Sequence, residues 1–187
     1  VSDPLYAVFF TNTTTGTAVG GNGTILRTTD AGATWAIQNS TTPSYLYGVS
    51  FANATTGTAV GANATILHTT NGGATWVSQN SGVRIVDLTG VTFADANIGT
   101  VIGFQGTILR TTNGGATWTR QTSGTDQPLY GISFATNKIG TVVGEFGTIL
   151  RTTSGGNLTW TSQGSGTINN LYDVAFTDIN TGTTVGD

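Results

Sequence analysis

Thr24-Ile25-Leu26-Arg27-Thr28-Thr29-Asp30-Ala31-Gly32-Ala33-Thr34-Trp35 is one of four near-copies of a single phrase in this chain of 187 residues. The others are TILHTTNGGATW at 65–76, TILRTTNGGATW at 107–118 and TILRTTSGGNLTW at 148–160. Outward from the phrase the landmarks keep step. Leu5, Leu46, Leu88, Leu129 and Leu171 open successive units forty-one or forty-two residues apart, and Phe10, Phe51, Phe93, Phe134 and Phe176 follow at a constant offset. Gly16, Gly57, Gly99, Gly140 and Gly182 precede a short apolar run that Gly20, Gly61, Gly103, Gly144 and Gly186 close. One-residue insertions, in the connector 83–87 and at Leu158, account for the longer units. A period of this size marks a repeat architecture in which each unit is one supersecondary structure.

Within the second unit, 46–51, 57–61, 65–69 and 75–79 are rich in β-branched and aromatic residues and bounded by Gly, Asn or Thr, as strands are. Their connections are of hairpin length, and no segment carries a sustained helical period. Four antiparallel strands per unit predict an all-β fold, a β-propeller of four-stranded antiparallel blades. A parallel β-helix competes, but its shorter turns need no four-strand meander. The expected single domain, 1–187, holds four full repeats at about 5–45, 46–87, 88–128 and 129–170 and a half repeat at 171–187.

Only 8% of the residues are charged, against about a quarter in an ordinary globular protein, so Thr, Ser, Asn and Gly must make the surface polar. With a net charge of −3 and Lys138 as the single lysine, the chain offers no basic patch to nucleic acid or an anionic membrane. No apolar run approaches the ~18 residues of a membrane span. The lack of cysteine removes disulfides and thiolate metal chemistry. The chain opens at Val1 without a signal peptide and reads as a mature or excised segment. Asn-x-Ser/Thr triplets at Asn12, Asn22, Asn39, Asn53, Asn63 and Asn157 are candidate glycosylation sites, although so much Ser, Thr and Asn produces many by chance.

The run from Thr28 to Trp35 fits the Asp-box pattern Ser/Thr-x-Asp-x-Gly-x-Thr-Trp and so resembles the bacterial neuraminidase repeat superfamily. The wider string Ala-Val-Gly-x-x-Gly-Thr-Ile-Leu-Arg-Thr-Thr is similar to propellers related to the photosystem II stability and assembly factor. The resemblance recurs four times over nearly the whole chain. It implies a fold rather than an activity, because such repeats occur on sialidases, assembly factors and other secreted bacterial proteins alike. In these boxes Asp30, Asn71, Asn113 and Ser154 are expected to accept turn N–H groups, while Gly32, Gly73, Gly115 and Gly156 admit positive φ. Trp35, Trp76, Trp118 and Trp160 are expected to fill the space between sheets. Only the first box holds a carboxylate, so no metal is expected.

Two further columns stand out. Arg27, His68, Arg110 and Arg151 place three of the six Lys and Arg residues, and the single histidine, at one repeated position. Arginines on one side of the assembly-factor propellers are implicated in partner binding, so the resemblance allows a partner-binding ring here. The alternative is that each stem packs on its blade and each head group bonds neighbouring carbonyls. Tyr6, Tyr47, Tyr130 and Tyr172, interrupted by Thr89, lie on the first strand of each unit, the one nearest a propeller axis.

Catalysis finds little to work with. Sialidases of the superfamily need an arginine triad, a Tyr activated by a Glu and an acidic proton donor, and glycosidases in general need a close carboxyl pair. Glu145 is the single glutamate, and Asp3, Asp87, Asp95, Asp126, Asp173 and Asp178 are scattered over connectors and turns. His68 is the single histidine, and neither a Gly-x-Ser-x-Gly elbow nor a phosphate-binding loop occurs. The expectation is a non-catalytic, cofactor-free, secreted or cell-surface structural and interaction propeller. It would associate with copies of itself through the incomplete terminal blade, in an oligomer or larger assembly. A carbohydrate-binding or sialidase-related module is the alternative, and an assembly factor for a membrane-protein complex the third reading. Partners would be protein or glycan, with neither nucleic acid nor membrane insertion.

Overall fold

The second strand of each unit has small or β-branched residues on both of its faces, a composition that suits a strand covered on both sides. In the computed structural model, which describes residues 3–155 and 159–187, β2 (Gly16–Gly20), β6 (Gly57–Gly61), β10 (Gly99–Gly103) and β14 (Gly140–Gly144) are buried from end to end. Each pairs antiparallel with the strand before it, β1 (Leu5–Phe10), β5 (Leu46–Phe51), β9 (Leu88–Phe93) or β13 (Leu129–Phe134). Each also pairs with the strand after it, β3 (Ile25–Thr28), β7 (Thr65–Thr69), β11 (Ile108–Thr111) or β15 (Ile149–Thr152). The outermost strands β4 (Ala36–Gln38), β8 (Val77–Gln79), β12 (Thr119–Gln121) and β16 (Thr161–Gln163) complete four four-stranded blades. β17 (Leu171–Phe176) and β18 (Gly182–Gly186) form a two-stranded half blade. The chain is therefore the all-β propeller of four full blades and a half blade that its repeats predict. β8 starts two residues later than the expected 75–79, because the Thr75 amide is taken by Asn71 Oδ1 and Trp76 turns inward. The insertion at Leu158 lies outside the described residues, as do Gly156 and Asn157.

The core lies in the seams between blades. Each blade has one face towards the preceding blade and one towards the following blade. Val19 and Ile25 of the first blade pack on Val49, Phe51, Ala59, Leu67 and Trp76 of the second. Val60 and Ile66 meet Val91, Val101, Leu109 and Trp118, and Ile102 and Ile108 meet Val142, Leu150 and Trp160. Each fully buried Ile, Leu or Val contributes about 1.5–3 kcal/mol relative to exposure, so the seams dominate the stability. The phenylalanine column belongs to the same faces: Phe51 meets Trp76 edge-on with ring centroids 6.0 Å apart, and Phe10–Trp35, Phe93–Trp118 and Phe134–Trp160 repeat the pair. The ring of Phe51 lies over Gly57, where a Cβ would stand 2.7 Å from it, so the glycine opening β6 makes room for the phenylalanine.

The two ends of the chain do not meet to close a ring. β1 packs on β5, β5 on β9, β9 on β13 and β13 on β17, and no comparable packing joins β17 to β1. Val8, Phe10 and Trp35 are accordingly exposed on the first blade, Trp35 at 37% against 2% for Trp76. At the other end every residue of β18 is exposed, whereas every residue of β14 is buried.

Candidate partner-binding site

Each first strand carries a bulge at its second residue, where the register slips: Tyr6, Tyr47, Thr89, Tyr130 and Tyr172 are the extra residues. A bulge frees its side chain from the ladder and re-aims it. The five positions come together at one end of the propeller because the first strands pack side by side. Tyr6 lies 5.4 Å from Tyr47 and 6.3 Å from Tyr45, and Tyr130 lies 5.6 Å from Tyr172 and 6.2 Å from Phe104, ring to ring. Thr89, lacking a ring, donates to the carbonyl of Leu129 at 2.6 Å. Carboxylates border the rings. Burial, then the charge of Asp87, pushes the Tyr47 hydroxyl above its ordinary range, and burial, then Glu145, does the same to Tyr130. The Tyr172 hydroxyl donates to Asp187 at 3.1 Å. Sequence reasoning missed Tyr45, Phe104 and Asp187. Their signal was positional: Phe104, Glu145 and Asp187 each follow the closing glycine of a second strand, and the backbone N–H of each is bonded just before the neighbouring first strand.

The Asp boxes lie at the opposite ends of the strands. In the first, Asp30 accepts from the Thr34 hydroxyl at 2.6 Å, the Thr34 amide at 2.9 Å and the Thr28 hydroxyl at 2.7 Å. Led by the Thr34 side chain, these bonds lower its pKa from 3.8 to about 2. Asn71 and Asn113 take the same place, accepting from Thr75 and Thr117 amides at 3.0 and 2.9 Å and donating to their hydroxyls at 2.9 Å. Among the described residues Ser154 bonds to Thr152, whose hydroxyl accepts its amide at 3.3 Å. Gly32, Gly73 and Gly115 have φ of +89°, +87° and +93°. Among the described residues no group of three His, Cys, Asp or Glu is placed to hold a metal.

The arginine column is not gathered at one place; each member sits at its own seam and reaches towards the next blade. Arg27 Nη2 lies 3.6 Å, and His68 Nδ1 3.2 Å, from where a Cβ would stand on Gly72 and on Gly115, in the next blade's Asp box. Buried Arg110 donates to the Gly155 carbonyl in the fourth box. Burial lowers its pKa while Asp95 opposes the shift. Burial likewise holds the His68 imidazole below its ordinary range. For Arg151 no Asp box of a next blade lies among the described residues. Arg151 donates to the Ile179 carbonyl at 3.3 Å and stands 6.0 Å over the Phe176 ring.

Five candidate glycosylation asparagines, Asn12, Asn22, Asn39, Asn53 and Asn63, are exposed, and Asn157 lies outside the described residues. Asn12 and Asn53 use Oδ1 to cap the turn after the first strand.

With this geometry in hand, the relatives are informative. The sequence model of the family described as photosynthesis system II assembly factor YCF48 matches residues 1–82 and again 82–164, two blades each time. No curated protein sequence matches the chain. Among solved structures, one described as YCF48 bound to D1 peptide is 16% identical, covers all of this chain and 89% of its own, and has a TM-score of 0.58. YCF48 from Cyanidioschyzon merolae is 20% identical over 93% of this chain and 60% of its own, with a TM-score of 0.70. An ancestral GH74 enzyme is 16% identical over 84% of this chain but 24% of its own, at 0.72. At these identities the structures speak for the fold alone.

Proposed function

Because the chain belongs to the photosynthesis system II assembly factor YCF48 family, we propose that it is a non-catalytic assembly factor whose propeller holds an extended segment of a membrane-protein client. The observation that carries this reading is the family match over residues 1–164, which favours assembly over the structural and carbohydrate-binding readings. A relative described as bound to a D1 peptide supports a peptide as the kind of ligand. The tyrosine end suits such a ligand. Tyr side chains supply large, rigid contact area at low entropic cost, and Asp87, Glu145 and Asp187 would select a client segment with basic residues. Of the arginine column, Arg151 is the member best placed to meet a partner, since Arg27, His68 and Arg110 face the next blade. The same reading places the protein outside the cytoplasm, secreted or at the cell surface.

The test is fluorescence anisotropy with labelled peptides taken from the soluble tails and loops of host membrane proteins. Saturable binding by one of them, weakened in a folded Tyr130→Ala, Tyr172→Ala double variant, is the expected result. Failure of the whole panel to bind the folded chain would sink the proposal. Self-association is the second reading. It is favoured by the groove of about 680 Å³ that Tyr6, Val8, Ala18, Leu26 and Trp35 line on the uncovered face of the first blade. Sedimentation velocity over a concentration series decides it, because a concentration-independent monomer would remove it.

A further inference from the structure

The column of bulged tyrosines breaks once, at Thr89, and the break divides the tyrosine end into two aromatic groups with a carboxylate beside each. Tyr45 and Tyr47 stand 6.5 Å apart on one side, ring to ring, and Phe104 and Tyr130 stand 6.2 Å apart on the other. Tyr45 and Phe104 are 44% and 40% exposed, while Tyr47 and Tyr130 are half-buried. Asp87 is fixed beside the first group. Its Oδ1 accepts the Asn63 amide at 3.1 Å, in the turn whose Ala62 amide bonds to the Tyr45 carbonyl at 2.8 Å. Glu145 is fixed beside the second, because its amide bonds at 2.9 Å to the carbonyl of Pro128, two residues before Tyr130.

Both carboxylates are half-buried, and among the described residues neither forms an ion pair. A carboxylate drawn partly out of water gains most from a cation that restores the lost hydration. The two charges already reach the rings, since after burial they are what raises the Tyr47 and Tyr130 hydroxyls. An aromatic face beside a carboxylate holds a guanidinium from two directions, through the ring quadrupole and through charge. Between the groups Thr89 turns its hydroxyl inward to the Leu129 carbonyl at 2.6 Å, so no ring rises there.

Spacing then restricts what can reach both groups. Tyrosines on adjacent first strands lie one ring step apart, 5.4 Å for Tyr6 and Tyr47 and 5.6 Å for Tyr130 and Tyr172. Tyr47 and Tyr130 are two strands apart, hence roughly 11 Å, which an extended chain covers in three to four residues at ~3.3 Å each. We propose that Tyr47 with Asp87 and Tyr130 with Glu145 form two guanidinium subsites, and that the segment held at this end carries two arginines three or four residues apart, its backbone crossing over Thr89. The inference rests on the peptide-holding reading above and specifies the chemistry of the peptide.

The probe is a set of Gly-Ser peptides bearing no arginine, one arginine, or two arginines that are adjacent, three, four or about eight residues apart. They are titrated into the isotopically labelled whole chain and followed by NMR. Two arginines three or four residues apart should bind about tenfold tighter than one, shifting the amides of Tyr47, Asp87, Tyr130 and Glu145 together. Asp87→Asn and Glu145→Gln, which keep the side-chain shapes, should each reduce the pair to the affinity of a single arginine. Thr89→Tyr places at the break the residue that the other four bulges already accept. It should weaken the pair more than the single arginine. Absence of binding by every arginine peptide, shifts elsewhere on the folded chain, equal affinity at all spacings, or indifference to both carboxylate variants would overturn the paired subsites. A host peptide that binds this end without such a pair would overturn them too, yet leave client binding standing. Failure of the whole client panel while the paired arginines still bind would sink the client reading alone.

Discussion

At the scale of single residues the Asp boxes are four solutions to one turn, and their differences predict measurable effects. Asp30 is held ionised by Thr34 and Thr28, with a folded pKa of about 2 against an unfolded value of about 3.9. Its folded pKa is depressed, so the carboxylate's contribution is complete above the unfolded value and is lost as pH falls through the folded one. Asp30→Asn copies the arrangement at Asn71 and Asn113. The variant should keep its melting temperature at neutral pH and lose less than the parent between about pH 4 and pH 2, as followed by circular dichroism. Ala31 stands at φ +60° where the other boxes have Gly72 at +70°, Gly114 at +69° and Gly155 at +72°. A left-handed conformation costs a residue with a Cβ about 1–2 kcal/mol, and glycine's freedom in the unfolded chain returns about 0.4–1 kcal/mol of that. Ala31→Gly should therefore stabilise the chain by a few tenths to about 1 kcal/mol in urea unfolding. Which residues form these turns was legible from the repeated phrase. That Ala31 carries the strain shows in the sequence only by comparison, since the other three copies hold glycine where it stands.

Among elements, identical words meet different surroundings. Trp76 and Trp35 end the same phrase on equivalent faces, yet Trp76 is 2% exposed under the first blade and Trp35 is 37% exposed with no blade packed on it among the described residues. Trp76→Ala should cost about 3–5 kcal/mol, as large-to-small core substitutions do, and Trp35→Ala clearly less, both by equilibrium denaturation. Strand boundaries were readable to within two residues from the Leu, Phe and Gly columns. The tyrosine end was readable only in part, since the column Tyr6, Tyr47, Tyr130 and Tyr172 marks it but its bulge geometry does not. Phe104 is marked by its place after the closing glycine of β10, but its contact with Tyr130, like that of Tyr45 with Tyr6, is made across blades, which no local pattern encodes.

As a whole molecule the chain is a row of blades in which each blade packs mainly on its neighbours, so its stability should be distributed like that of other repeat proteins. The interior seams hold the most buried side chains and the half blade the fewest. Native-state hydrogen exchange should rank β6 and β10 as the most protected second strands and β18 as the least, with β18 amides exchanging through local opening rather than global unfolding. Uniform protection across β6, β10 and β18 would contradict a half blade held by one seam alone.

What the sequence determined by itself was the unit: the period, the four strands, the glycine and phenylalanine columns and the turn chemistry all follow from residue types at fixed spacing. Tertiary structure decided the rest. It assigned the column of Arg27, His68 and Arg110 to seams between blades, gathered the bulged tyrosines at one end, and left the first blade's outer face and the β18 edge uncovered. The physical reason is that spacing records what a residue does within its own repeat. Burial, by contrast, depends on which neighbour stands across the seam, and Trp35 and β18 have no such neighbour among the described residues.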